Sequence, residues 1–522
     1  MTLLTDLKRP ALKYLWVALA GLLIQAGVCR WDRVLPELPK GAHAWRQADA
    51  LSMAMKFASD DLPLHKPEMH FRQGTDGAGA GEFTLSYWLN GKLWSAIGVT
   101  RLPWTMRLMH AVIWWFGLLA LVDWVRLKTG SGWLGVAVAW MLQASPLTAY
   151  YGPGLMVNTM ALGWMFIGWW ALERRAFVGG GVALGLGMLF RPTMALALAG
   201  PALEPLWQPS RRAQWLSLVG AVVGVGAWVV WSKFYNAAHE TTYFLTGLSP
   251  LTDVIQAGNW AEFKELFNSV LLADLYPKAI RGAGLATYIY VLFRGWRTAE
   301  MRQASAVAWL TFAGALAYIF LWFGRLNHHD YYLLDVLVLV PVGALAIQQA
   351  LPAGARRWLP AMLLAPAVVG TWAARDRAGA KSGHNLPATS PFMSGWELTM
   401  WRNHHAVWNG RFEGLDALAA SGAIPEDAVL VCLPDASPNI ALSRLDRNGF
   451  TSLYDNDLQA GARLRHYAER GATHFVALDP GLLEVGDWGN TLSQPLVREG
   501  RVWLYALPGA NSPPLQDERG NE

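Results

Sequence analysis

The stretch LMHAVIWWFGLLALVDWV, from Leu108 to Val125, decides the fold class. Asp123 is its only formally charged residue. A helix of this length nearly spans a hydrocarbon core, which takes about 20 apolar residues to cross. Similar runs occupy Lys13–Cys29, Gly132–Leu147, Leu155–Leu172, Trp215–Trp231, Ala306–Phe323, Tyr331–Ile347 and Trp358–Trp372. Shorter ones lie near 178–190, 193–206 and 282–293. Together they predict an α-helical polytopic membrane protein with about eleven transmembrane helices. Composition agrees. Of 522 residues, 53% are hydrophobic and 16% charged, where a soluble domain carries about 25% charged residues.

Basic residues give the orientation. Arg126/Lys128, Arg174/Arg175, Arg211/Arg212, Arg294/Arg297/Arg302 and Arg356/Arg357 fall in connections on one side if the helices alternate from an N-terminus bearing Lys8, Arg9 and Lys13. The positive-inside rule makes that side cytoplasmic. The loops around 30–105 and 233–280, and everything after 373, then lie on the outer face. The net charge of +5 comes from these basic connections, and no basic run is long enough for nucleic acid. The first run lacks a small-residue cleavage site and reads as an uncleaved helix. Cys29 and Cys432 have no metal-site spacing.

Three parts follow from this pattern: a membrane domain over 1–373, a polar linker over 374–390, and an outer α/β domain over 391–522. In that tail, Ala428–Leu433, His474–Leu478 and Arg501–Tyr505 read as strands, and Leu458–Arg470 as an amphipathic helix stopped by Gly471. No glycine-rich phosphate loop opens a helix there.

The chemistry is expected in the first long loop, where His43-Ala44-Trp45-Arg46-Gln47-Ala48-Asp49 is polar and follows directly on a membrane run. A mere connection needs only a few residues, and this loop runs to about seventy. Thr84–Gly98 has the spacing of a juxtamembrane helix lying in the interface, and Arg46–Ser59 is a second candidate. Arg46 and Asp49 share a helix face, either as a local ion pair or as a carboxylate facing a cleft. Glu82, after a Gly/Ala stretch, is either the acidic first turn of the next helix or a second functional carboxylate. Between two apolar runs lies Gly324-Arg325-Leu326-Asn327-His328-His329-Asp330-Tyr331-Tyr332. Adjacent histidines do not readily share one ion, and no third ligand has matching spacing. No metal is therefore assigned. Arg325, with His328, His329 and Tyr331, suits an anion better, since a guanidinium fork matches phosphate. Arg191 interrupts an apolar stretch, where a charge is functional by default. Tyr276, Lys278 and Arg281 are weaker candidates.

These pieces resemble the GT-C-type, polyprenyl-phosphate-dependent glycosyltransferases, the group that includes protein O-mannosyltransferases and lipid A aminoarabinose transferases. The motif H-x-W-R-Q-A-D of a bacterial branch matches His43 to Asp49. A glycine-rich stretch ending in G-x-E-F or S-E-F matches Gly81-Glu82-Phe83, followed by Tyr87-Trp88-Leu89. H-x-Y-Y matches His329-Asp330-Tyr331-Tyr332. The resemblance implies an inverting transferase in a bacterial cytoplasmic membrane, with its N-terminus inside and its tail outside. The donor it implies is a polyprenyl-phosphate-linked sugar, and the acceptor a lipid, glycan or protein. The resemblance gives Asp49 the catalytic position and Glu82 the second acidic one, and the residues themselves nominate Arg46, Glu82, Arg191, Arg325, His328, His329 and Tyr331 to bind substrate. No cofactor is expected if basic side chains hold the monophosphate, with a Mg²⁺-dependent variant as the alternative. Where relatives carry M-P-D, this chain has Met156-Val157-Asn158, without the carboxylate. Two rival readings are a flippase or transporter of lipid-linked sugars, and a polysaccharide polymerase or ligase.

Overall fold

Apolar runs become helices because every backbone polar group in lipid must be satisfied within its own segment. The computed structural model describes residues 9–72, 76–241, 247–267, 271–326, 329–453, 460–484, 488, 492 and 494–507. Among these, five helices are long and apolar enough to cross a membrane: Ala11–Val28, Pro103–Thr129, Ala213–Ala238, Ala299–Leu326 and Asp330–Ala350. Other expected crossings are shorter helices, Gly132–Gln143 and Phe177–Phe190 among them. The protein is a multi-pass membrane protein, with five of the roughly eleven expected crossings qualifying by length and hydropathy together.

The chain divides into two compact units. One comprises residues 1–37, 103–232 and 245–401, the other residues 38–102, 233–244 and 402–522. The first is helical. Its helices Pro103–Thr129 and Asn158–Glu173 approach so closely that a Cβ on Gly117 would meet the Gly163 Cα at 2.4 Å. Small residues at such crossings permit the close van der Waals packing that holds helices together in lipid.

The stretch expected as a linker after residue 373 is instead helical. Leu359–Ser382 continues through Arg375, Asp376 and Arg377 and ends at Gly383, whose φ of 78° gives the left-handed stop. Charges lower the hydropathy of this segment, yet Arg377 and Lys381 are buried. Ion pairing makes that burial tolerable. Arg377 donates to Asp274 and Glu397, each at 2.7 Å, and Lys381 donates to Asp274 at 2.7 Å and also pairs with Asp330.

The second unit is α/β. Its strands are β1 (Leu430–Leu433), β2 (Gly449–Thr451), β3 (His474–Ala477), β4 (Val497–Glu499) and β5 (Val502–Ala506), ordered β2-β1-β3-β5-β4. β1 runs parallel to β2 and β3, and β5 antiparallel to β3 and β4. Side chains alternate between faces. Leu430 and Cys432 join a core with Phe412, Leu415 and Leu418, and Val431 and Leu433 join another with Phe450, Leu464 and Tyr467.

The first long loop belongs to this unit and extends its sheet. The Gly449 amide donates to His70 O at 2.9 Å, and the Arg72 amide to Gly449 O at 2.8 Å. A Cβ at Gly449 would lie 2.1 Å from Leu430 O, so only glycine permits this approach of backbones. The two expected loop helices are present as Ala44–Ser59 and Leu85–Ala96. The first is buried over Gln47–Phe57. Leu89, Leu93 and Ile97 are exposed along one side of the second, as a helix resting in an interface requires.

Candidate active site

In the sheet-bearing unit, Arg46, Asp49 and Glu82 meet. Arg46 and Asp49 lie one turn apart on the Ala44–Ser59 helix, and Arg46 Nη1 donates to Asp49 Oδ2 at 3.4 Å. The other guanidinium nitrogen, Nη2, pairs with Glu82, which also accepts from the Tyr87 hydroxyl. The side chains of Asp49, Arg46 and Glu82 are 0%, 11% and 18% exposed, so the cluster opens toward its Glu82 side. Burial, and then the charge of Glu82, push the Tyr87 phenol well above its ordinary range, so it stays a hydrogen-bond donor.

Behind Asp49 stands a residue from the tail. Asn439 Nδ2 donates to Asp49 Oδ1 at 2.8 Å. The Asn439 oxygen in turn accepts from the Phe71 amide at 3.1 Å and from Ser52 Oγ at 3.2 Å. Ser52 Oγ is 2.8 Å from His70 Nδ1, and His70 Nε2 is 3.2 Å from Asp446 Oδ1. Burial pulls the His70 imidazole below its usual range, against the opposing pull of Asp446. Asp435, closed off nearby, is raised by burial although Ser437 and the Ala441 amide donate to it. Sequence reading missed Asn439, Ser52, His70 and Asp446. One signal was available for Asn439: a cap-type residue after Pro438 and before the apolar Ile440–Leu445 helix.

In the helical unit, Arg191 Nε donates to Asp335 Oδ1 at 2.6 Å, and its guanidinium lies 4.7 Å from the centre of the Tyr332 ring and 5.9 Å from that of Tyr331. With the Asn158 amide assigned oxygen-inward, that oxygen accepts from Arg191 Nε and Nη1 at 3.2 and 3.0 Å. Asn158 thus faces Arg191 with a neutral amide. Tyr331 is buried edge-on to Tyr151, 6.0 Å between ring centres, and His329 lies 5.3 Å from Tyr331. Asp330 is held by Tyr151 and Lys381. Arg325 is exposed and forms no salt bridge among the described residues. His328 lies outside the described residues. Among the described residues, no group of three or more His, Cys, Asp or Glu side chains is placed to hold a metal ion.

Similarity to known proteins enters at the level of fold. No family model matches the chain, and no curated protein matches it. Among solved structures, ArnT from Cupriavidus metallidurans in the apo state is 13% identical to this chain, with a TM-score of 0.51 covering 95% of this chain and 98% of ArnT. The same protein bound to undecaprenyl phosphate is 12% identical, with a TM-score of 0.51 covering 96% and 99%. The chain has a GT-C-type fold. Also similar is the archaeal oligosaccharyltransferase AglB from Archaeoglobus fulgidus, at 13% identity and a TM-score of 0.46 over 88% of this chain and 69% of AglB. The GT-C-type fold is the one that His43–Asp49, Gly81–Phe83 and His329–Tyr332 led the sequence analysis to expect.

Proposed function

We propose that the protein is an inverting glycosyltransferase that moves a sugar from a polyprenyl-phosphate donor to an acceptor hydroxyl at the outer face of a bacterial cytoplasmic membrane. The observation that carries this reading is the likeness, over nearly the full length of both chains, to ArnT bound to undecaprenyl phosphate. A polyprenyl-linked donor stays in the bilayer, so its enzyme must stay there too, as five apolar spans require.

In the reaction the acceptor oxygen attacks the anomeric carbon. The carbon–oxygen bond to phosphate breaks, its electron pair stays with the lipid phosphate, and the acceptor proton passes to a carboxylate. Single displacement inverts the anomeric centre. Asp49 is that base in this proposal. Its carboxylate is enclosed while the Arg46 guanidinium beside it is partly exposed, so an acceptor reaches Asp49 by displacing Arg46 toward Glu82. Asn439 holds the far carboxylate oxygen. For the lipid phosphate the proposed residue is Arg325, whose fork is not committed to a carboxylate among the described residues, where Arg191 is paired with Asp335. A well-placed donor to developing charge contributes about 3 kcal/mol.

Two tests follow. Titration with a short-chain polyprenyl-phosphate sugar should show Arg325→Lys weakened and Arg325→Ala weaker again, by about 100-fold in kcat/KM. Unchanged kinetics in Arg325→Ala would move the phosphate site to Arg191 or Lys278. For orientation, Cys29 and Cys432 are buried, so background labelling of native protein is low. In intact spheroplasts an impermeant maleimide should label Glu426→Cys and leave Gly354→Cys, beside Arg356 and Arg357, unlabelled. The reverse pattern would place the tail in the cytoplasm.

A further inference from the structure

Asn439 holds Asp49 from behind, and the groups around Asn439 set how firmly. Its amide is engaged at both ends. Nδ2 donates to Asp49 Oδ1 at 2.8 Å and to Met69 Sδ at 3.4 Å. Oδ1 lies 3.1 Å from the Phe71 amide and 3.2 Å from Ser52 Oγ. A backbone amide can only donate, so Phe71 fixes which end is oxygen and leaves the NH2 for the carboxylate.

Ser52 lies one turn after Asp49 on the Ala44–Ser59 helix and is fully buried. A serine in a helix interior ordinarily turns to its own backbone or to solvent. This one turns to Asn439 from the tail and to His70 from the first long loop, whose Nδ1 is 2.8 Å away.

Ser52 has one hydroxyl hydrogen and two acceptors facing it, while its oxygen accepts from the His70 amide at 2.8 Å. The His70 ring decides between them. Its Nε2 is 3.2 Å from Asp446 Oδ1. Burial raises the Asp446 carboxyl, but the opposing pull of His70, Thr100 and Arg101 prevails and holds it below the usual range. A neutral ring therefore carries its hydrogen on Nε2, since a bare nitrogen there would face a carboxylate oxygen. Its Nδ1 then accepts from Ser52. In the imidazolium both nitrogens donate. Nδ1 donates to Ser52 Oγ, and the hydroxyl turns to Asn439 Oδ1. Each bond along such a chain polarises the next, so Asn439 donates more strongly to Asp49, and the charge on the ring acts in the same direction. Burial and Lys56 disfavour the charged ring, whereas Asp446 and Asp60 favour it.

We propose that His70 is a positioning residue for Asp49: through Ser52 and Asn439, its imidazolium holds Asp49 as a carboxylate while the pH falls. The role rests on the transferase reading, in which Asp49 takes the acceptor proton. An ordinary imidazole protonates near about pH 6.5 and an ordinary aspartate near about 3.9, so the ring charges first on acidification. A proton on His70 then disfavours one on Asp49, and the reverse holds equally. Asp49 thereby keeps its basicity to lower pH than it would without the relay.

The first arm of the test needs no turnover. It is solid-state ¹⁵N NMR of full-length, histidine-labelled protein in lipid bilayers, with the His70 signals identified by their loss in His70→Gln. Near neutral pH the ring should be protonated on Nε2 alone, and acidification should convert it to the imidazolium. Asp49→Asn should lower the midpoint of that conversion by about half a pH unit, and Ser52→Ala should remove most of this difference. A ring protonated on Nδ1 alone would overturn the relay, as would an Asp49→Asn effect that is the same with and without the Ser52 hydroxyl. The second arm is the pH profile of kcat with a short-chain polyprenyl-phosphate sugar, each variant scaled to its own plateau so that the folded fraction cancels. Ser52→Ala should move the acid limb up by about half a unit, an about threefold loss of relative rate below it, with little change in the KM for donor. His70→Gln should move it the same way by less, because Ser52 can still donate to Asn439 while the charge is gone. Unmoved acid limbs in both variants would overturn the positioning role. The two readings fail separately. A protein that shows the NMR coupling but transfers nothing refutes the transferase alone, and one that transfers with unmoved acid limbs refutes the positioning role alone.

Discussion

Asp49→Asn should lower turnover by about 10²–10⁴-fold, the contribution of a positioned general base, while the protein stays folded. The substitution keeps the shape of the side chain. Its amide oxygen can still accept from Asn439, and Arg46 keeps its pairing with Glu82. The stability lost should therefore stay within about 1–3 kcal/mol, the cost of one impaired buried hydrogen bond to a charged group. Turnover and apparent Tm measured on the same purified preparations separate the two roles. A loss of Tm with near-normal turnover would make Asp49 a structural anchor for the tail. Asn439→Ala bears on the same point with a smaller effect, because it leaves the carboxylate in place and removes the group that orients it.

The largest stability effect is expected at Lys381. Its ammonium sits between Asp274 and Asp330, and all three are buried. Lys381→Met keeps most of the apolar stem and removes the charge, leaving two carboxylates with less compensation. Breaking a buried pair from one side costs about 3–5 kcal/mol. Arg377 still reaches Asp274, and Tyr151 still reaches Asp330, which sets the result toward the lower end. The apparent Tm of detergent-solubilised Lys381→Met should fall well below that of Lys381→Arg. Adding Asp330→Asn to Lys381→Met should recover part of the loss, because the second change removes a stranded charge. An unaltered Tm in Lys381→Met would mean that this network contributes nothing to the helical unit.

The same lysine shows where sequence reading stops. Arg375 to Gly383 lowers local hydropathy, and composition alone makes such a stretch look like a linker. Burial of Arg377 and Lys381 depends on Asp274, Asp330 and Glu397, partners up to about a hundred positions away whose pairing is set by tertiary packing. The strands in the tail with continuous apolar runs were legible: β1 and β3 fall within the expected stretches, and β5 runs one residue past Arg501–Tyr505, to Ala506. β2 and β4 are three residues each, too short for a period-2 pattern to register. Arg46 and Asp49 were legible as a pair because helix geometry brings three-residue neighbours together. Glu82 stood out through its motif. Asn439 could not be joined to Asp49 from sequence, since a separation of 390 residues carries no local pattern.

The central claim is chemical: a sugar leaves its polyprenyl phosphate and becomes bonded to an acceptor. The direct measurement is mass spectrometry of reactions containing purified protein in nanodiscs, a polyprenyl-phosphate hexose and a cell-envelope extract. Wild type should consume the donor, release free polyprenyl phosphate, and raise an acceptor by the mass of one hexose residue; Asp49→Asn should do none of these at a comparable rate. Intact donor and unshifted envelope masses in the wild-type reaction would contradict the account.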